Sequence, residues 1–229
     1  MLELQENLQA VRQRIRAAEQ ACGRPEDSVR LVAVSKTQPA AVLRAAYDLG
    51  QREFGENYLQ EAMEKQDLLA DLDIVWHFIG PIQSNKTRLL AERFDWVHSI
   101  DRLKIAQRLN DQRPPGRAPL NVCIQVNIGG EPTKSGVTPA AVAELAQAVA
   151  ALPRLRLRGL MAIPAPTADE REQRAAFRRL RELLEGLGMP GLDTLSMGMS
   201  DDLEAAVAEG TTLVRVGTAI FGRRPPAKG

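Results

Sequence analysis

Leu31-Val32-Ala33-Val34-Ser35-Lys36-Thr37 sets four apolar residues, two of them β-branched, ahead of a serine and a lysine. Such a run reads as a short buried strand. Pro39 then opens the helical pattern AAVLRAAYDLG, so the stretch is one strand-then-helix unit. Working outward, the same alternation recurs along the chain. β-like runs fall at 30–36, 53–57 (EFGEN), 75–80 (VWHFIG), 96–100 (WVHSI), 121–128 (NVCIQVNI), 156–163 (RLRGLMAI), 193–199 (DTLSMGM) and 212–217 (TLVRVG). Helical patterns fill 39–49, 58–70, 83–93, 102–111, 139–151, 169–187 and 201–209. Ahead of them, Leu4, Leu8, Val11 and Ile15 mark an additional helix over 2–22, ended by Gly23 and Pro25. Eight β units alternating with helices over 229 residues predict a single α/β domain spanning 1–229. Its fold is a TIM-type (β/α)8 barrel with an extra N-terminal helix. An open doubly wound sheet is the runner-up, but no GxGxxG follows the first strand. The proline-rich segments 112–119 and 164–168 are short enough to be loops, and the tail 223–229 (RRPPAKG) is expected to fray.

Composition removes several functional classes. The formal charge of +1 gives no electrostatic case for nucleic acid or an anionic membrane surface. Arg174, Arg178, Arg179 and Arg181 are interleaved with Glu172 and Glu182 and read as a solvated helix face. Cys22 and Cys123 lack metal or CxxC spacing, as expected of free thiols in a reducing compartment. His77 and His98, the two histidines, form no local zinc motif. The N-terminus is amphipathic rather than signal-like, and no apolar run is long enough for a membrane span. A cytoplasmic protein is expected.

In a barrel the chemistry collects at the carboxyl ends of the strands. Those ends carry Lys36, Asn57, His77 with Gly80, Ser99 with Asp101, Asn127, Met161, Ser196 through Ser200, and Arg215 with Gly217. Of the six lysines, at 36, 65, 86, 104, 134 and 228, only Lys36 ends an apolar strand; Lys65, Lys86 and Lys104 fall in polar helical patterns. Burial would lower its pKa and expose a nucleophilic amine; the alternative is a stem that snorkels to water. Ser200 precedes DDLEAAVAEG and is expected to cap that helix, whose free N–H groups could meet an anion together with those of Gly217 and Thr218. Asp201 and Asp202 count against this, since they would repel the anion if they faced it. Arg215 shares one strand face with Leu213 and Gly217. A buried arginine needs an acceptor, either a carboxylate such as Asp101 or a ligand atom. A Schiff-base lysine, a phosphate cradle and a buried arginine together suggest pyridoxal 5′-phosphate (PLP). A class I aldolase acting on a phosphosugar is the rival, though it would want its lysine on a later strand.

The motifs LVAVSKTQP (31–39), FGENYLQE (54–61), WHFIGPIQSNK (76–86), VNIGGEPTKSG (126–136), GLMAI (159–163), LSMGMSDD (195–202) and VRVGTAIFG (214–222) carry a resemblance over essentially the whole chain. The chain resembles the pyridoxal phosphate homeostasis proteins, whose barrel is similar to the N-terminal domain of bacterial alanine racemase. That resemblance implies that Lys36 forms a Schiff base with PLP, that Asn57 lies near the ring, and that Ser200, Gly217 and Thr218 hold the phosphate. It implies further that Arg215 faces the pyridine nitrogen and that Met197 and Gly198 line the ring or phosphate side. Lys134 matches a loop lysine considered a second PLP contact, while His77 and Asn85 belong to the signature without an assigned role. The implied function is vitamin B6 homeostasis: a monomeric, non-catalytic carrier that supplies or buffers PLP, with PLP-dependent apoenzymes as partners. The alternative is a racemase-like PLP enzyme on amino acids, for which this chain offers no second, β-rich domain and no tyrosine at a strand end.

Overall fold

The computed structural model describes residues 1–132 and 135–223; Lys134 and the tail beyond Arg223, both named above, lie outside the described residues. Eight parallel strands close a barrel in chain order: β1 (Arg30–Val34), β2 (Glu53–Glu56), β3 (Val75–Phe78), β4 (Trp96–Ile100), β5 (Leu120–Gln125), β6 (Leu155–Met161), β7 (Thr194–Ser196) and β8 (Leu213–Val216). β8 returns to β1 with Val32 beside Arg215. The helices are α1 (Leu2–Ala21), α2 (Ala40–Asp48), α3 (Leu59–Leu68), α4 (Thr87–Arg93), α5 (Leu103–Gln112), α6 (Val142–Ala150), α7 (Glu170–Leu187), α8 (Leu203–Ala208) and α9 (Thr218–Phe221). All eight β units and the extra N-terminal helix read from the sequence are present. Several strands stop one to three residues before the apolar pattern does, because the following residues bend away at the barrel mouth. The four-residue α9, over a segment the periodicity leaves unassigned, is the addition.

The apolar residues form two compartments. The larger lies between barrel and helices, where outward positions such as Ala33, Phe54, Phe78 and Val97 meet Leu43, Leu90, Ile105 and Phe177. The smaller lies inside the barrel and holds Trp96, Cys123 and Met161. Above and around it the lumen is polar. His98 of β4 lies 2.7 Å from Ser196 of β7, a contact that only the barrel interior permits. Barrel interiors are ordinarily filled by branched aliphatics, and this one departs from that rule.

α1 buries Leu8, Val11, Ile15 and Ala18. Its polar residues brace the last two loops: Arg14 Nη2 donates to the Ser200 carbonyl at 2.8 Å, and Asn7 Nδ2 to the Ile220 carbonyl at 3.0 Å. The arginine face of α7 is partly solvated, as expected, but it also meets a buried partner. Arg174, Arg178 and Arg181 converge on Glu209, which is only 2% exposed. The helix is pinned to the end of α8 by a buried carboxylate, while the arginine side chains stay partly in water. Among the described residues, no helix is long and apolar enough to cross a membrane.

Candidate cofactor site

A cavity of about 940 Å³ opens at the carboxyl ends of the strands. Its wall includes Lys36, Ser200, Arg215, Gly217 and Thr218, together with Thr167, Asp201, Asp202 and Arg223. Strand register explains the convergence. Val34 pairs with Gly55, which brings Lys36 alongside Asn57 two residues further on. The β1–β8 pairing likewise carries Gly217 against Val34, whose carbonyl would sit 3.2 Å from a Cβ at that glycine. Five of the eight residues named from the sequence therefore share one wall.

The other three do not line it. Met197 is fully buried in the core between barrel and helices. Gly198 serves packing: at φ +101° a side chain is strained, and a Cβ would lie 2.6 Å from that of Ala206. Its carbonyl accepts from the Arg215 backbone N–H at 2.9 Å. Asn57 is half-buried, and its Oδ1 is a buried acceptor with no hydrogen-bond partner. Such an atom is costly unless something donates to it.

The turn that presents Lys36 is held from below. Thr37, a β-branched residue, sits at φ +67°, a region that costs such residues on the order of 1–3 kcal/mol. Its N–H donates to Glu61 Oε1 at 2.5 Å. Glu61 in turn meets Lys65 at 2.7 Å, and Lys65 Nζ also donates to Glu56 Oε1 at 2.7 Å and to the Ser35 carbonyl at 2.8 Å. Lys65 is thus buried, contrary to its place in a polar helical pattern. Burial pushes the Glu56 carboxyl above its ordinary range, against the pull of Lys65 and Ser35.

Arg215 is 3% exposed. Its Nη1 donates to Ser196 Oγ at 2.7 Å and its Nη2 to the Ala162 carbonyl at 3.0 Å. Asp101, the carboxylate weighed as its partner, pairs instead with Arg102 at 3.3 Å. Burial brings the guanidinium down to about 10, partly offset by Asp202, which still leaves it charged at neutral pH. Asp202 turns its carboxylate back to accept from the Met199 N–H at 2.7 Å. Burial raises its pKa, against the Met199 N–H bond and the nearby Arg215 charge. Ser200 does not cap α8, because that helix starts later, with Asp202 at its N-cap position. Its Oγ instead accepts from the Ala219 N–H at 3.2 Å and joins the loop after β7 to the first turn of α9.

A group that the sequence left without a role completes the interior. Ser196 Oγ contacts His98 Nδ1 at 2.7 Å, His98 Nε2 contacts His77 Nδ1 at 2.8 Å, and His77 Nε2 contacts Glu53 Oε1 at 3.0 Å. The signal was available: both histidines stand inside short, otherwise apolar strands, where a polar side chain must find a partner.

Residues 7–225 match the family described as alanine racemase, N-terminal domain. The pyridoxal phosphate homeostasis protein of Pseudomonas aeruginosa is 65% identical over 98% of this chain and 97% of its own length. That of Escherichia coli K12 is 55% identical, with both chains covered in full. This chain belongs to the pyridoxal phosphate homeostasis protein family. PipY of Synechococcus elongatus, solved without PLP, superposes with a TM-score of 0.84 at 41% identity, covering 96% of this chain and 100% of PipY. PipY solved with PLP bound gives a TM-score of 0.83 at 39% identity, with the same coverage. Alanine racemase from Corynebacterium glutamicum shares the fold (TM-score 0.68, 21% identity), and the match covers 96% of this chain and 62% of the racemase.

Proposed function

We propose that this chain binds PLP as one cytoplasmic barrel domain and supplies or buffers it for PLP-dependent apoenzymes. The observation that carries this reading is the convergence of Lys36, Arg215, Ser200, Gly217 and Thr218 on one cavity. An unsatisfied Asn57 Oδ1 beside it adds support, as does PLP bound to PipY. When bound, PLP supplies an aldehyde and an electron-withdrawing ring. Lys36, on the cavity wall, would hold the cofactor through its Nζ. Ser200, Gly217 and Thr218 would hold the phosphate, with Asn57 next to Lys36 by strand register. Arg215 keeps two of its five N–H donors on Ser196 and Ala162, so the remainder can face the ring nitrogen. A charged guanidinium there would leave that nitrogen an acceptor and make the ring a weaker electron sink. Met197 and Gly198 act from behind, by packing and by fixing the Arg215 backbone.

Carriage rather than turnover is favoured by the wall itself. Tyr47 stacks under Arg52 at 3.7 Å, and Tyr58 is half-exposed; neither lines the cavity. The competing reading, a PLP enzyme on amino acids, draws on Asp202, a carboxylate of raised pKa on the cavity wall. Two measurements decide. Borohydride reduction of the PLP-loaded chain should fix the cofactor on Lys36, and an adduct found only on another lysine overturns the assignment. The loaded protein should reactivate a PLP-dependent apoenzyme while racemising alanine no faster than free PLP. Turnover well above that level and abolished by Lys36→Ala would establish the enzyme instead. Sedimentation should report a monomer.

A further inference from the structure

With both imidazoles neutral, the hydrogen bonds through the barrel run in one direction. Glu53 is an ionised carboxylate: burial raises its pKa, but bonds from His77 and Arg30 outweigh that and hold it at about 2. An ionised carboxylate only accepts, so His77 Nε2 carries a hydrogen and donates to Oε1 at 3.0 Å. Both imidazoles are completely buried, and burial lowers the pKa of each. A neutral His77 with its hydrogen on Nε2 has an acceptor at Nδ1, so His98 Nε2 donates to it at 2.8 Å. His98 then accepts at Nδ1, which commits the Ser196 hydroxyl hydrogen to it at 2.7 Å. The lone pairs of Ser196 are left for Arg215 Nη1, also at 2.7 Å. With both rings neutral, reversing any link sets two lone pairs, or two hydrogens, against each other.

We propose that Ser196, His98, His77 and Glu53 are positioning residues whose directed relay fixes the Arg215 guanidinium toward the cofactor from across the barrel. The inference deepens the PLP-binding function proposed above and rests on it for the identity of the ligand. Of the two acceptors that orient Arg215, the Ala162 carbonyl is fixed by the backbone. The other is a hydroxyl whose hydrogen would be free to rotate without the relay. Aligned donors also polarise one another, which strengthens each bond in a low-dielectric interior. The charged groups acting on the imidazoles are Arg30 of β1, Glu53 of β2, Asp95 preceding β4 and Arg215 of β8. Arg30 is itself tied to Glu53 at 3.0 Å through Nε, so the far end of the relay stays neutralised.

With only two histidines, ring-nitrogen NMR of the ligand-free protein reads the relay directly. Both rings should be neutral, with hydrogen on Nε2 and none on Nδ1, throughout pH 6 to 8. An imidazolium, or a hydrogen on Nδ1 of either ring, overturns the proposal. His77→Phe retains the stack on Trp96, whose ring centroid is 5.4 Å from that of His77, but breaks the relay. Its PLP affinity should fall by about tenfold, as for a lost charged hydrogen bond. The pH profile of the PLP absorption band should change as well. Ser196→Ala should do the same, and the double variant should be no worse than Ser196→Ala alone. Wild-type affinity and pH profile in His77→Phe, or additive losses in the double variant, refute the relay. Should His77→Phe not fold, the nitrogen spectra and Ser196→Ala decide. A wild-type chain that takes up no PLP defeats the proposed function, and the nitrogen spectra then judge the relay alone.

Discussion

Replacing Lys65 by Met tests the support beneath Lys36. Methionine preserves most of the stem but deletes an ammonium with three acceptors: the Ser35 carbonyl at 2.8 Å and the Glu56 and Glu61 carboxylates, each at 2.7 Å. Glu56 is fully buried and its Oε2 already lacks a partner, so the substitution leaves it with the Ser35 hydroxyl at 2.9 Å. Breaking a buried pair by removing one member costs about 3–5 kcal/mol. For a domain of this size that is a fall of about 6–20 °C in Tm. The pH dependence has a definite sign. Burial holds the folded pKa of Glu56 above its unfolded value, so its contribution is intact at low pH and is lost as pH rises through the folded pKa. Losing Lys65 moves that pKa further up. The deficit against wild type should therefore be larger at pH 8 than at pH 5, as read from urea midpoints. Glu56→Gln in the same chain should recover most of it. A deficit below about 1 kcal/mol at pH 8 would refute the pairing as the stabilising element, as would a deficit that grows on acidification.

Thr37→Gly should stabilise the protein by about 1 kcal/mol, because glycine accepts φ +67° without strain and keeps the N–H donated to Glu61; a lower Tm would count against strain at this turn. Cys22 is exposed, whereas burial pushes the Cys123 thiol up to about 12. A thiol reagent should therefore modify one cysteine in the folded chain and two only after denaturation. Glu209→Gln should lower stability by about 1–2 kcal/mol at neutral pH, modest because the three arginines it gathers remain partly in water. Despite burial, those bonds depress the pKa of Glu209. Its contribution is present above the unfolded pKa and lost as pH falls through the folded one, so the gap to wild type should close on acidification; a gap independent of pH would count against the cluster.

The fold was legible because it is written in a local alphabet. Each strand is a short apolar run, each helix a longer periodic one, and neither depends on distant residues for its signal. Chain order then becomes barrel order, since parallel β/α units add neighbours in sequence. Where the reading missed, a distant partner had overruled the local pattern. Lys65 and the α7 arginines look solvent-facing from their own helices. They are drawn in by Glu56 and Glu209, carboxylates on other elements that local periodicity does not connect to them. α9 escaped because four residues after a strand carry no period to detect.

The cavity wall was partly legible for a related reason. Strand ends point at the mouth by topology, so Lys36, Arg215 and Gly217 could be gathered from their positions alone. Met197 and Gly198 stand at a strand end too, but their backbone turns toward α8, and position along the chain does not reveal that turn. The interior carried a further clue in its charge. A cation buried in a barrel is ordinarily stabilised by a carboxylate, yet a carboxylate beside Arg215 would spend its charge there and pull its donors away from the cavity. A hydroxyl and a carbonyl orient the guanidinium without neutralising it. Negative charge stands on Glu53 at the other end of the lumen, linked through two neutral rings, and on Asp202, which acts on Arg215 from the cavity wall without a hydrogen bond to it. Two histidines and a serine inside apolar strands are thus what a barrel needs in order to keep one arginine both buried and available.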